Sequence, residues 1–155
     1  MELANILAKG SIIACAKVSS KRQLLQKLAQ HIEQDIGVPS QLIFNSLMAR
    51  EQLGSTGLGN GIAIPHAKLE NITGVRAVFA RTEQPIDFDA VDDMPVDLAI
   101  MLIAPTGAGA DHLKALATLA RLFRTDNIVT SLRETRDTEK LYNILTSPIK
   151  SINAA

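Results

Sequence analysis

The chain has 155 residues, of which 46% are apolar and only 3% aromatic, so one hydrophobic core built mainly from Leu, Ile, Val and Ala is expected. Lys plus Arg equals Asp plus Glu at 16 each, a formal net charge of zero, which argues against a domain held to nucleic acid by a broad basic surface. Cys15 is the single cysteine, which excludes an internal disulfide and a zinc site made of several thiolates, and it reads as a buried or incidental thiol. No basic-then-apolar leader opens the chain, and its longest apolar run, residues 98–104, has the length of a buried strand. No membrane insertion is expected, and the protein reads as cytoplasmic.

Residues 20–36 read as an amphipathic helix, with Leu24, Leu28, Ile32 and Ile36 at four-residue spacing and Leu25 and Ala29 widening the stripe. Ser19 or Ser20 can cap it, and Gly37 follows its last apolar residue. Pro39-Ser40 opens a second helix over residues 41–52, with Ile43 and Leu47 on one face. Residues 54–61 hold four glycines and read as a loop. The apolar strand 62–64 follows, and Pro65 predicts that it ends there or lies at an edge. A strand over 75–82, a polar and acidic surface connection over 84–94, and a central strand over 96–104 come next, with Asp97 the one charged residue of the last. After a loop at 105–110, helices are expected over 111–124, 127–134 and 137–146, with Asp126 or Asn127 and Asp137 as caps; the segment from Pro148 onward reads as a loose tail. No repeat or linker divides residues 1–155. The reading is one α/β domain, a single mixed β-sheet flanked by α-helices on both faces.

Three histidines are candidates for chemistry. His31 lies away from any glycine loop or carboxylate cluster and reads as an ordinary surface or boundary residue. His66 follows a strand, a proline and a glycine-rich loop, whose backbone donors can form an anion site. A neutral imidazole is a nucleophile, so His66 beside such a loop could take a phosphoryl group covalently; the plain alternative is a strand-end turn whose histidine caps a carbonyl. His112 heads the apolar stripe continued by Leu116, Leu119 and Phe123, in the first turn of its helix, where the macrodipole disfavours an imidazolium. It reads either as a partner of His66 or as a capping or core histidine. Arg50 projects from the apolar side of its helix, and either meets an anion or complements the C-terminal end of the dipole.

Other chemistries fit less well. In Gly57-Leu58-Gly59-Asn60-Gly61 a strand and a proline follow where a dinucleotide fingerprint needs a helix, and no P-loop lysine is present. Ser55 with His66 is not a nucleophile elbow. A metal site of His66, His112 and Asp111 has no ligand spacing to recommend it. No cofactor and no metal are expected.

The run Ser55-Thr56-Gly57-Leu58-Gly59-Asn60-Gly61-Ile62-Ala63-Ile64-Pro65-His66, with Arg50-Glu51 before it and Asp111-His112-Leu113 after it, resembles the active-site signature of the fructose–mannitol type enzyme IIA family of the bacterial phosphotransferase system. The likeness runs from about Leu3 to Leu145. Ala67 stands where many relatives have glycine. The stretch from Pro85 to Leu98 is most similar to the nitrogen-regulatory branch, which acts in a signalling phosphorelay. The resemblance implies a phosphotransferase with a phosphohistidine intermediate on His66 Nε2, with His112 beside it, Arg50 facing the phosphoryl group, and polar groups near it from Ser55, Thr56, Gly59 and Asn60. It implies a histidine phosphocarrier protein as donor, and regulatory targets such as a potassium transporter or sensor kinase. A sugar-specific enzyme IIA feeding a permease phosphocysteine domain, and a non-catalytic anion-binding module, are the alternatives.

Overall fold

The long apolar run and its alternating neighbours form the middle of a six-stranded sheet. The computed structural model describes residues 2–147. After a short 3-10 turn come β1 (Leu7–Ala16), α1 (Lys21–Ile36), α2 (Ser40–Leu53), β2 (Gly57–Gly59), β3 (Ile62–Ala63) and β4 (His66–Leu69). β5 (Arg76–Ile86), β6 (Val96–Pro105), α3 (Gly109–Leu122), α4 (Asp126–Glu134) and α5 (Thr138–Thr146) complete the order. The strands lie in the order β1-β5-β6-β3-β2, and β4 also pairs with β6. β5 and β6 are antiparallel, whereas β1 runs parallel to β5, and both β3 and β4 run parallel to β6.

Period-two alternation then sorts the side chains. Ala77 and Phe79 of β5, with Leu98, Ile100, Leu102 and Ala104 of β6, pack against α3, α4 and α5. Their alternates Val78, Ala80, Ala99, Met101 and Ile103 pack against α1 and α2. Helices therefore cover both faces of one mixed sheet, as expected from the sequence.

Helix ends follow local chemistry. The Ser20 hydroxyl accepts the Gln23 N–H, and Gly37 closes α1 in the left-handed conformation at φ +68°. The Asp137 carboxylate caps α5 by accepting the Lys140 N–H. Neither Asp126 nor Asn127 is the N-cap of α4; Thr125 holds that place without a side-chain bond.

Three expectations are corrected. The glycine-rich stretch contains β2, paired with β3 in a tight antiparallel hairpin. The strand before Pro65 ends as expected, β3 stopping at Ala63; the Pro65 carbonyl accepts the Leu102 N–H at 2.9 Å, and β4 begins at His66 on the same neighbour. The acidic connection begins as strand, since β5 runs on to Ile86, and it buries Phe88 and Ala90. Cys15 is exposed, on a strand for which the sequence offered no clear pattern. The segment from Pro148 onward lies outside the described residues.

Candidate functional site

His66 opens β4, and register decides where its side chain goes. His66 pairs with Leu102 and Lys68 with Ala104, whereas Ala67 pairs with Ile103. Leu102 and Ala104 face α3, and Ile103 faces α2. His66 and Lys68 therefore share the α3 side of the sheet. There the His66 ring meets the His112 ring edge to face, with centroids 5.5 Å apart and planes at 75°. Two residues 46 positions apart in the chain thus share one small site.

The His66 ring is fixed through one nitrogen. Nδ1 lies 2.8 Å from the Ile64 carbonyl, which can only accept, so Nδ1 carries the proton and donates it. In the neutral ring Nε2 then keeps its lone pair, and the residue is half-buried. A neutral, oriented imidazole with a free Nε2 is a nucleophile.

His112 is 5% exposed, and its Nε2 has no hydrogen-bond partner among the described residues. Burial, followed by the charges of His66 and Lys68, holds its pKa below the ordinary 6.5. The lowered pKa favours the neutral ring, with burial leading the causes in place of the helix dipole. At pH above 6.5 both folded and unfolded chains hold His112 neutral; as the pH falls below 6.5 the unfolded chain takes up the proton first, so stability declines toward the lower folded pKa. His112→Gln should remove that part of the acid slope, as read from urea midpoints between pH 7 and roughly pH 5.

The other candidates are placed differently. Arg50, in the last turn of α2, is half-buried, and its Nη1 donates to the Gly54 carbonyl at 2.9 Å. That bond completes the helix end, and no hydrogen bond joins Arg50 to either histidine among the described residues. Several polar groups of the glycine-rich stretch already have partners within the fold. The Ser55 hydroxyl donates to the Phe88 carbonyl at 2.7 Å, and Thr56 gives its N–H and its hydroxyl to Glu51. The Asn60 N–H donates to Asp92 at 2.9 Å, and Gly59 pairs with Ile62 in the hairpin. Bonds from Asn60 and Met94 hold the exposed Asp92 carboxyl below its usual range. These residues build and anchor the turn that delivers His66. His31 is exposed, on α1, with its Nε2 2.6 Å from the Gly10 carbonyl of β1.

Sequence reasoning missed two networks around the hairpin. Lys21, Glu51 and Phe88 secure its first strand from α1, α2 and the acidic connection. Arg133 of α4 secures its turn, pairing with Asp97 at 2.9 Å and donating to the Asn60 carbonyl. Neither pairing has a local spacing; Asp97, a charge inside an otherwise apolar strand, was the one available signal.

One mixed sheet thus brings two histidines distant in the chain ring to ring, and comparison with known proteins gives the class of domain that carries them. The family model described as "Phosphoenolpyruvate-dependent sugar phosphotransferase system, EIIA 2" matches residues 5–147, and the chain belongs to that family. Within it, the chain is similar to nitrogen regulatory proteins. One from Bradyrhizobium diazoefficiens is 45% identical over 96% of this chain and 97% of its own, and one from Escherichia coli K12 is 37% identical over 94% and 90%. The crystal structure of nitrogen regulatory protein IIA-Ntr from Neisseria meningitidis matches with a TM-score of 0.89 at 36% identity, covering 93% of this chain and 99% of that one. The Escherichia coli complex of enzyme IIA-Mtl with phosphorylated enzyme IIB-Mtl shares the fold at TM-score 0.74 and 19% identity, covering 89% and 94%. No helix among the described residues is long and apolar enough to cross a membrane.

Proposed function

We propose that His66 accepts a phosphoryl group on Nε2 from the phosphohistidine of a small phosphocarrier protein, and that its phosphorylation state is a cytoplasmic regulatory signal. The observation that carries this reading is the His66 Nδ1 bond to the Ile64 carbonyl, which leaves Nε2 as the free nucleophile beside His112. In the transfer the donor's P–N bond breaks as the P–Nε2 bond forms, and the donor imidazole leaves with the electron pair. The protein supplies positioning and charge stabilisation, which dominate phosphoryl-transfer catalysis. A phosphoryl dianion on His66 opposes the burial cost at His112 and favours its imidazolium, so the second histidine can donate to the new oxygens.

The regulatory purpose is supported by the relatives. Nitrogen regulatory proteins match nearly the whole chain at 45% and 37% identity, whereas a fructose-specific EIIABC component from Bacillus subtilis reaches 27% over 94% of this chain. One added dianion changes what a target protein meets at this surface, which is how a relay protein signals; a potassium transporter or a sensor kinase is the kind of target we have in mind.

The test uses phosphoenolpyruvate, the first relay enzyme and the phosphocarrier protein, with the acid-labile phosphate mapped by mass spectrometry. The label is expected on His66. Stoichiometric label on another residue overturns the assignment. Saturable phosphate binding without a covalent label selects an anion-binding module, and efficient onward transfer to a permease phosphocysteine domain selects a sugar-specific role.

A further inference from the structure

The ion pair at the end of α2 takes no part in the transfer chemistry, yet hydrogen bonds lead from it to the reactive imidazole. Glu51 is 6% exposed, and a carboxylate so buried is costly unless its oxygens are bonded. Its Oε1 accepts from Lys21 Nζ at 2.8 Å and from the Thr56 N–H at 3.1 Å, and its Oε2 accepts from the Thr56 hydroxyl. Lys21, in the first turn of α1, is itself held by the Phe88 carbonyl at 3.4 Å and lies 4.6 Å from the centre of the Phe88 ring.

Both donors of Thr56 are therefore turned to one carboxylate, which fixes the orientation of this residue. Its carbonyl accepts the Ile64 N–H at 3.1 Å, across the hairpin. The Ile64 carbonyl in turn is the acceptor for His66 Nδ1. An imidazole without a fixed acceptor samples both tautomers and several ring orientations, and only one tautomer leaves Nε2 free.

We propose that Glu51, locked by Lys21 and acting through Thr56 and the Ile64 peptide, is a positioning residue that keeps His66 in its Nδ1–H tautomer with Nε2 presented to the incoming phosphoryl group. The proposal rests on His66 being the acceptor. It gives the buried pair a role in the reaction beyond closing a helix end. The gain lies in orientation, since a reacting group held in its attack geometry avoids the entropy of finding it.

Thr56→Val removes the hydroxyl donor at nearly constant volume, Thr56→Ser keeps it, and Glu51→Gln removes the charge. Three measurements separate positioning from a merely structural role: the nitrogen-15 shifts of the His66 ring in the unphosphorylated protein, the rate of labelling by phosphoramidate, and the thermal midpoint. Phosphoramidate is a small phosphoryl donor that needs no docking surface. Thr56→Val and Glu51→Gln should move the His66 nitrogens toward the mixed-tautomer pattern and slow labelling by about tenfold or more, the order expected for misplacing a reacting group from a distance. Thr56→Ser should restore both. Wild-type nitrogen shifts and rate in a folded Thr56→Val protein overturn the proposal, and that variant decides the matter if Glu51→Gln does not fold. Absence of label on His66 in the wild type overturns the acceptor assignment instead, an outcome told apart because the nitrogen shifts are read without phosphorylation.

Discussion

His66→Gln should take up no phosphoryl label under conditions that fully label the wild-type chain, a loss of at least about a thousandfold in rate, as expected for removing a nucleophile. Glutamine keeps a polar group of similar reach at the same place but offers no basic nitrogen, so the change removes the lone pair and little else. The fold should tolerate it. His66 is half-buried, and what β4 requires at that position is its main-chain pairing with the Leu102 region of β6, which a side-chain change leaves alone. A thermal midpoint close to that of the wild type should therefore accompany the lost label, and substantial label retained in His66→Gln would sink the assignment. His112→Ala is the informative partner experiment. Its ring faces His66 at 5.5 Å without being the acceptor, so the label should stay on His66 while transfer slows by about a hundredfold, the scale of losing one preorganised stabilising group. A wild-type rate there would leave His112 a structural residue.

Much of this site could be read from the chain because its parts are local. The strand, proline and histidine of residues 62–66 occur in succession, and the stripe continued by Leu119 announces that His112 points inward, where it is in fact buried. What stayed hidden depends on partners distant in sequence. Lys21 and Glu51 meet because α1 and α2 pack on the same sheet face, and no spacing within either helix encodes the pair. The partners of Ser55, Thr56 and Asn60 were hidden for the same reason: donors that look free in a glycine-rich run are bonded to Phe88, Glu51 and Asp92. One miss had a signal. Ile86, Phe88 and Ala90 alternate with aspartates and are all buried, a period-two pattern that marks an inward-facing segment inside an acidic stretch. β1 had none, since Lys9, Gly10 and Ser11 break its apolar run and its pairing with β5 shifts register.

Gly61→Ala should be a strongly damaging single-methyl change near the site, because two separate costs meet there. The residue adopts φ +80°, a conformation that disfavours any side chain, and an added Cβ would lie 2.8 Å from Asp97 Oδ1 and against Arg133 Nη2. Arg133 must then leave at least one of its partners, Asp97 or the Asn60 carbonyl, and the hairpin turn loses its anchor to α4. Backbone strain of about 1–2 kcal/mol and a displaced, partly exposed ion pair of up to about 1 kcal/mol sum with the crowding to roughly 2–4 kcal/mol, or a fall of about 5–15 °C in Tm. Gly37→Ala is the control, since φ is +68° there and nothing lies within 4 Å of the added atom. It should show the strain alone, and an equal loss in the two variants would mean that the hairpin accommodates the methyl group. Arg133→Ala supplies the remaining arm of the argument. If crowding of its guanidinium is what Gly61→Ala suffers, the double variant should be less destabilised than the two single losses added together. Additive losses would place the whole cost in the backbone. The same variants should slow labelling of His66 only as far as the hairpin turn helps to aim it, so a destabilised Gly61→Ala protein with full transfer rate would assign the aiming of His66 to the Thr56–Ile64 bond and leave Arg133 to stability.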